Sequence, residues 1–337
     1  MPEIFSSPPT QAQPRASSRQ KRFERRTDAP PLDLTRSHRY FQILYWLLKL
    51  RFMSTEQLAR LLYSAGSLKY AERQLRRMYD AGYIDRFPVP AFELWGRNRG
   101  SYGAARAIHC LDEAGARFLS EQFGVTRQEV DWRPRHNHQP GMLDHTLATN
   151  DTLITAMVAA KRQDWQLEVI QSEREINHKR GHDRVVDPLT GKRVTVKADA
   201  VCRLALPAGE GIYFSLELDR GTEGMKKIKA KARAHAAHYK SGLYQKRFGT
   251  TSNRILFVVA DVRDPVRAQP TNEAEWCERL AERAASIKQW IEAAVDARDQ
   301  RLFWIADRRQ LTPTTFFQGR VWLRPGRAEP QPLLGDG

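Results

Sequence analysis

The chain has 337 residues and a strongly basic composition, with 55 lysines and arginines against 39 aspartates and glutamates and a formal net charge of +16. This charge predicts a polyanionic partner, above all nucleic acid, because cationic side chains release condensed counterions when they meet phosphates. No apolar run is long enough to span a bilayer and no secretory signal is recognisable, which excludes a membrane-spanning protein and predicts a cytoplasmic one with no membrane partner.

The N-terminal segment, residues 1–36, is rich in Pro, Ser, Gln and Arg and has almost no periodic apolar pattern. Such a composition predicts a disordered basic arm. An arm of this kind contacts nucleic acid or only keeps the chain in solution, and the composition favours neither role.

Residues 37–122 predict a winged helix-turn-helix domain. Residues 40–50 are too apolar for a surface helix and predict the central helix, and Ser54 with Gln57 forms a capping box that begins the second. A third helix follows the turn at Gly66. Two short strands, 84–87 and 105–111, then enclose a loop rich in Gly and Arg, and a last helix closes the domain.

The third helix and the wing loop carry the basic side chains that we expect to contact duplex DNA. In a winged helix the third helix enters the major groove and the wing meets the phosphate backbone. Some winged helices mediate only protein–protein contacts, but the basic residues of this one favour DNA binding. The predicted DNA-binding residues are Lys69, Arg73, Arg76, Arg97 and Arg99.

A second domain is predicted over residues 143–322, after a linker at 123–142 and before a flexible Pro- and Gly-rich tail at 323–337. Its periodicity indicates a first helix over 145–160, further helices after the third and fourth strands, and strands over 165–176, 194–206, 212–219, 254–261 and 302–306. This order predicts a mixed α/β sandwich around one central sheet.

Acidic residues occur on three successive predicted strands. Glu173 or Glu175 lies on the first, Asp199 on the second, and Glu217 and Asp219 at the end of the third. Carboxylates on neighbouring strands can converge, as a Mg²⁺ or Mn²⁺ site requires. A shift of one residue in register exchanges Glu173 and Glu175, so the pattern only slightly favours Glu173. Strand ends with solvated charges are the alternative explanation.

The stretch Leu216–Glu223, with the sequence LELDRGTE, and the later Lys231 resemble the signature of the replication-relaxation family. That family is similar to the MOB-C class of plasmid relaxases, which join a winged helix to a PD-(D/E)XK nuclease-like domain. The resemblance implies an α/β (α+β) protein, an N-terminal winged helix-turn-helix followed by a restriction-endonuclease-like mixed α/β sandwich. Residues that it places in supporting roles are His145, Asp151, Thr222 and Glu223.

Asp219 departs from the typical nuclease pattern, which has a lysine two residues after the third-strand glutamate. The resemblance to the replication-relaxation family implies that a lysine of the following helix takes that role. At about 100° per residue, Lys231 lies about 70° from the centre of the buried stripe of this helix, and Lys226, Lys227 and Lys229 lie about 90° or more away. We therefore expect Lys231 to face the acidic residues.

The resemblance implies metal-dependent nicking of double-stranded DNA at a plasmid origin. Asp199 and Glu217 would hold Mg²⁺ or Mn²⁺, with Glu173 or Asp219 completing the shell, and the metal would lower the pKa of a bound water. Lys231 would orient or deprotonate the nucleophile. The predicted catalytic residues are therefore Glu217, Asp199, Lys231 and Asp219.

A different class of function remains open. The chain could be a replication initiator or transcription regulator that binds DNA without cutting it, with the α/β domain serving dimerisation, for example as a homodimer, or recruitment. The missing lysine at position 219 favours this hypothesis, whereas the acidic residues in a basic protein oppose it, because unpaired carboxylates weaken DNA binding. RNA binding has no aromatic platform motif to support it.

Overall fold

The computed structural model describes residues 24–88, 107–124, 126, 140–177, 182–207, 209, 211–262 and 272–335. Most of the predicted arm and linker, together with Arg97 and Arg99 in the predicted wing loop, lie outside these residues. Helices and sheets alternate along the described chain, which confirms the predicted mixed α/β class.

The N-terminal part combines helices with a small antiparallel sheet of order β1-β3-β2. Its helices are α1 (His38–Leu50), α2 (Thr55–Leu62), α3 (Leu68–Asp80) and α4 (Glu113–Phe123). Its strands are β1 (Met53–Ser54), β2 (Ile84–Pro88) and β3 (Ala107–Leu111).

Local sequence explains these helices. The apolar residues Ile43, Leu44 and Leu47 are buried, so α1 forms the centre of this part, as predicted. The predicted capping box is present, because the Ser54 hydroxyl accepts from the Gln57 N–H and the Gln57 side chain accepts from the Ser54 N–H.

The C-terminal part is built on a five-stranded sheet of order β10-β9-β8-β7-β4, in which β8, β9 and β10 are parallel and β4, β7 and β8 are antiparallel. Its strands are β4 (Gln166–Ser172), β5 (Asp183–Val186), β6 (Arg193–Val196), β7 (Ala200–Ala205), β8 (Gly211–Asp219), β9 (Arg254–Val259) and β10 (Phe303–Asp307). Its helices are α5 (Pro140–Lys161), α6 (Glu173–Asn177), α7 (Met225–Lys240), α8 (Leu243–Phe248) and α9 (Glu273–Glu292).

The two faces of this sheet bury different helices. Leu216 and Leu218 of β8 belong to the same core cluster as Ile154 of α5. On the other face, Ile228 of α7 and Leu280 of α9 form a second cluster with alternate residues of β9 and β10. The two-residue period of a strand therefore turns Glu217 towards α7.

Two predicted strands that carry acidic residues differ in the structure. The first ends at Ser172, and Glu173 begins α6 instead of lying on the strand. The reason is a Ser-x-x-Glu capping arrangement, in which Glu175 accepts hydrogen bonds from the backbone N–H and the hydroxyl of Ser172. The strand predicted over 194–206 is divided into β6 and β7, with Asp199 between them.

The two parts of the chain pack on each other directly. The Asn150 side chain of α5 donates to the backbone carbonyls of Leu50 and Phe52 at 3.0 and 2.7 Å. Gln57 donates to the Leu147 carbonyl at 2.7 Å, and Lys49 pairs with Glu175. Because the buried carbonyls at the end of α1 have partners on α5, the orientation of α1 relative to the sheet is fixed.

The C-terminal residues 323–335 pack on the core, contrary to the predicted flexible tail. Leu323 pairs with Ile305 of β10, and Trp322 pairs with Gln331. Leu333 and Leu334 are buried, because two adjacent leucines provide an apolar anchor that outweighs the Pro- and Gly-rich composition. No helix of the described residues is long and apolar enough to cross a membrane.

Candidate functional site

Glu217 lies near the end of β8 and is 1% exposed. Its two carboxylate oxygens meet two residues of α7. Lys231 Nζ donates to Oε2 at 3.0 Å, and His235 Nε2 lies 2.7 Å from Oε1. Residues four apart on a helix share one face, so Lys231 and His235 hold the carboxylate from adjacent turns.

Lys231 is the lysine of α7 that pairs with Glu217, as the helical geometry predicted, whereas Lys227 pairs with Glu223 at 2.6 Å. The Lys231 ammonium group also lies 3.0 Å from the Glu223 carboxylate. Burial alone would lower the pKa of Lys231, but the charges of Glu217, Asp199 and Glu223 raise the pKa above its usual value. Lys231 is therefore held as a cation, which suits charge stabilisation and not the removal of a proton from a nucleophile.

Asp199 reaches the same region from the connection between β6 and β7. Ala200 pairs with Leu216 in the antiparallel ladder, which places the preceding residue beside the end of β8. The Leu218 N–H donates to Asp199 Oδ2 at 2.7 Å, and His145 Nε2 lies 3.0 Å from Oδ1. Asp199, from the residue before β7, and Glu217, from β8, therefore lie on one side of the sheet end, and the charges of both raise the pKa of Lys231.

His145 and Glu173 complete this side of the cluster. Burial would lower the pKa of His145, but its hydrogen bond to Asp199 and the charges of Asp199 and Glu173 raise the pKa above its ordinary value. Burial raises the pKa of Glu173, helped by the charge of Asp199 and opposed by His145. Thr146 donates its hydroxyl to Glu173 at 3.0 Å. We call Asp199, Glu217, Lys231, His145 and Glu173 the carboxylate cluster.

A family model described as replication-relaxation matches residues 44–253, well over half of the chain. The chain belongs to the replication-relaxation family. Membership associates it with the replication or mobilisation of plasmids or other mobile elements. The matched range contains the whole carboxylate cluster. No curated protein and no solved structure matches this replication-relaxation protein.

Asp219, predicted as catalytic, is engaged elsewhere in this replication-relaxation protein. Arg283 of α9 donates to both of its carboxylate oxygens at 2.8 and 3.0 Å, and the Gly221 N–H donates to Oδ2. Asp219 is 3% exposed. A buried carboxylate in a two-point ion pair fixes α9 to the end of β8.

Two predicted supporting residues lie away from the cluster. Asp151 accepts from Gln57 and Arg60 of α2 at 3.1 Å each and also pairs with Arg308, so it joins the two parts of the protein. Thr222 is exposed in the turn before α7. Glu223, by contrast, pairs with Lys231 and lies at the rim of the cluster.

The carboxylate cluster does not fit the predicted Mg²⁺ or Mn²⁺ shell as it is placed. Within the residues that the structure describes, no group of three or more His, Cys, Asp or Glu side chains is arranged to hold a metal ion. All four carboxylate oxygens of Asp199 and Glu217 instead accept hydrogen bonds or ion pairs from protein groups. Carboxylates are the ligand type that Mg²⁺ prefers, but here protein donors compete for their oxygens.

The predicted DNA-binding residues of α3 differ in their surroundings. Lys69 and Arg73 are exposed, and the Arg73 guanidinium lies over the Tyr70 ring. Arg76 is bound within the protein, because it pairs with Asp80 at 2.9 Å and donates to the backbone carbonyl of Glu24. The exposed Arg77, not predicted, follows Arg73 by four residues and extends the basic face that Lys69 begins.

His235 was missed as a member of the site in the sequence, where it counted only as part of the buried stripe of α7. The available signal was its position one turn after Lys231 on the face that meets β8. A histidine on such a stripe is usually a core residue, and only the observed 2.7 Å contact with Glu217 shows its second role.

Proposed function

We propose that this replication-relaxation protein binds duplex DNA through α3 and hydrolyses one phosphodiester at the carboxylate cluster. The observation that carries the proposal is the approach of two carboxylates to the lysine of α7: Glu217 near the end of β8 pairs with Lys231, and Asp199, just before β7, raises the pKa of Lys231 by its charge. The side chains of Lys231 and His145 are 29% and 25% accessible, so both are partly open to solvent.

In this mechanism Lys231 binds a non-bridging phosphate oxygen and offsets the charge that develops during attack by water. The proton of the water passes to Glu173, because its raised pKa makes it a better base than an ordinary carboxylate. His145, whose pKa is raised above its ordinary value by its hydrogen bond to Asp199 against the effect of burial, donates a proton to the leaving oxygen. The bond from phosphorus to that oxygen breaks, and the strand is nicked.

The exposed basic face of α3 supports the DNA-binding half of the proposal. Lys69, Arg73 and Arg77 are four residues apart, so their side chains follow one side of the helix. The strand order of the small sheet and the position of α3 after α2 support the proposal of a winged helix-turn-helix, in which the third helix would enter the major groove.

Relaxation of supercoiled plasmid tests the nuclease, with wild type compared with Glu217→Gln. Asp187→Asn is the matched control, because Asp187 is a buried carboxylate whose partner, Arg233, is also on α7 but outside the cluster. We expect open circles from wild type and control and none from Glu217→Gln. Equal nicking by all three would overturn the proposed site. The same assay with Mg²⁺, with Mn²⁺ or with a chelator tests the predicted metal requirement.

A second candidate function is a non-catalytic initiator or regulator. It is favoured by the internal pairing of Glu217, whose oxygens are both held by α7. Stabilisation of the fold is by itself a sufficient reason for such pairing. Folded wild-type protein that binds duplex DNA and produces no open circles under any of these conditions would establish this candidate instead.

A further inference from the structure

We propose that a basic pocket at the start of strands β9 and β10 binds a phosphate group. The pocket, here called the arginine pocket, is lined by Arg254, Arg301 and Arg324 together with the polar residues Tyr239, Ser252, Asn253 and Gln331. It shares no residue with the carboxylate cluster. Arg254 is the first residue of β9, whereas Glu217 pairs with Phe257 further along that strand.

The size and lining of the arginine pocket suit a small anion or a nucleotide. Its volume is about 490 Å³, within the range of about 300–1,000 Å³ that is usual for ligand sites. Among the described residues that line it there is no Asp or Glu. Hydroxyl and amide groups beside three guanidinium groups provide donors for several oxygen atoms at once, which is the recognition chemistry of phosphate.

Two of the arginines are packed on one aromatic ring. The guanidinium carbons of Arg254 and Arg324 lie 5.8 and 4.2 Å from the centroid of the Trp304 ring. Trp304 is buried in β10 and holds both charged groups in place. Arg324 also donates to the backbone carbonyl of Arg301 at 3.2 Å, which holds the backbone of the third arginine beside the other two.

These charges lack acidic partners in the part of the chain that the structure describes. Burial lowers the pKa of Arg254, and the charge of Arg324 lowers it further. Burial and the charge of Arg327 lower the pKa of Arg324 in the same way. The Nε atom of Arg324 is buried and has no hydrogen-bond partner among the described residues. Like charges that lie close together and are partly shielded from water repel each other, so a bound anion would stabilise the arrangement.

Isothermal titration calorimetry of the full chain with inorganic phosphate, at constant ionic strength, tests phosphate binding by the arginine pocket in the absence of DNA. Arg301→Gln is the first variant, because Arg301 is exposed and its loss leaves the packing on Trp304 intact. Arg193→Gln is the control, since it removes one exposed arginine from β6, away from the pocket. We expect phosphate to bind wild type and control alike and Arg301→Gln about tenfold more weakly, as the loss of one charge-assisted hydrogen bond implies.

No binding by wild type, or equal binding by all three proteins, would overturn the proposal. A second variant, Arg254→Gln, is expected to weaken binding by a similar factor. Circular dichroism of each variant without phosphate separates loss of binding from loss of folding.

The source of the phosphate is decided by the salt dependence of duplex binding. If a DNA phosphate enters the arginine pocket, Arg301→Gln will make the slope of log K against log salt less negative by about 0.9 relative to Arg193→Gln. An unchanged slope together with binding of inorganic phosphate would identify a free phosphate compound as the ligand. Neither readout depends on nicking, so failure of the proposed nuclease does not affect this test.

Discussion

Lys231 and Glu217 form an ion pair with a separation of 3.0 Å between Nζ and Oε2, in which the glutamate side chain is 2% accessible and the lysine side chain 29%. The pair joins α7 to β8, with its negative charge in the interior and its positive charge partly exposed to solvent. Because a buried carboxylate needs a cation or strong donors to remain ionised, the lysine stabilises the fold and also presents charge to solvent.

Lys231→Met is expected to destabilise the protein. It leaves the buried Glu217 carboxylate with His235 alone, and an unsatisfied buried acceptor costs on the order of 1–3 kcal/mol. Urea unfolding measures the change, and Lys226→Met, an exposed lysine of the same helix, is the control that should change little. An equal effect of the two substitutions would contradict the structural role of the pair.

The stabilisation that comes from His145 is expected to depend on pH. The pKa of His145 is raised in the folded protein, so its contribution is fully present below the unfolded pKa of about 6.5 and is lost as the pH rises through the folded pKa. The difference in free energy of unfolding between wild type and His145→Gln should therefore shrink above about pH 6.5. A difference that grows with pH would show that the histidine is held neutral.

Asp219→Asn is expected to lower stability and leave the chemistry of the carboxylate cluster unchanged. The carboxylate is bound at two points by Arg283, so Arg283→Gln should destabilise the protein to a similar extent. Nicking per folded molecule, with the folded fraction measured by circular dichroism, separates the two roles. Loss of nicking in folded Asp219→Asn but not in folded Arg283→Gln would restore the catalytic role predicted from sequence.

Duplex binding is expected to weaken when the exposed charges of α3 are removed. Lys69→Ala and Arg73→Ala should each make the salt slope less negative by about 0.9, the value for one phosphate contact. The control is Arg162→Ala, which removes an exposed arginine directly after α5. A salt slope that changes in Arg162→Ala and not in the α3 variants would show that the DNA-binding surface lies on the C-terminal part.

The fold and part of the site followed from short-range patterns. The two-residue period of β8 placed Glu217 opposite the leucines, and the helical period of α7 selected Lys231. Such predictions succeed because strand and helix geometry relates residues that are close in sequence, and the capping box at Ser54 was found for the same reason.

Partners distant in sequence could not be predicted in this way. The role of Asp219 depends on Arg283 of α9, and nothing in the local pattern around either residue indicates the pair. The arginine pocket joins β9, β10 and the C-terminal segment, so its charges appear in the sequence only as scattered arginines. Glu173 was misplaced for another reason, since the capping arrangement of Ser172 and Glu175 was read as a continuation of the strand.

The Asn150 side chain has a consequence for any substrate. One amide group holds the carbonyls of both Leu50 and Phe52, so α1 cannot tilt on α5 without breaking two buried hydrogen bonds. A duplex held by α3 would thus meet the central sheet from a single direction. The distance along the DNA between the bases that α3 contacts and the phosphate at the carboxylate cluster would then be constant, because the rigid packing of the two parts sets it.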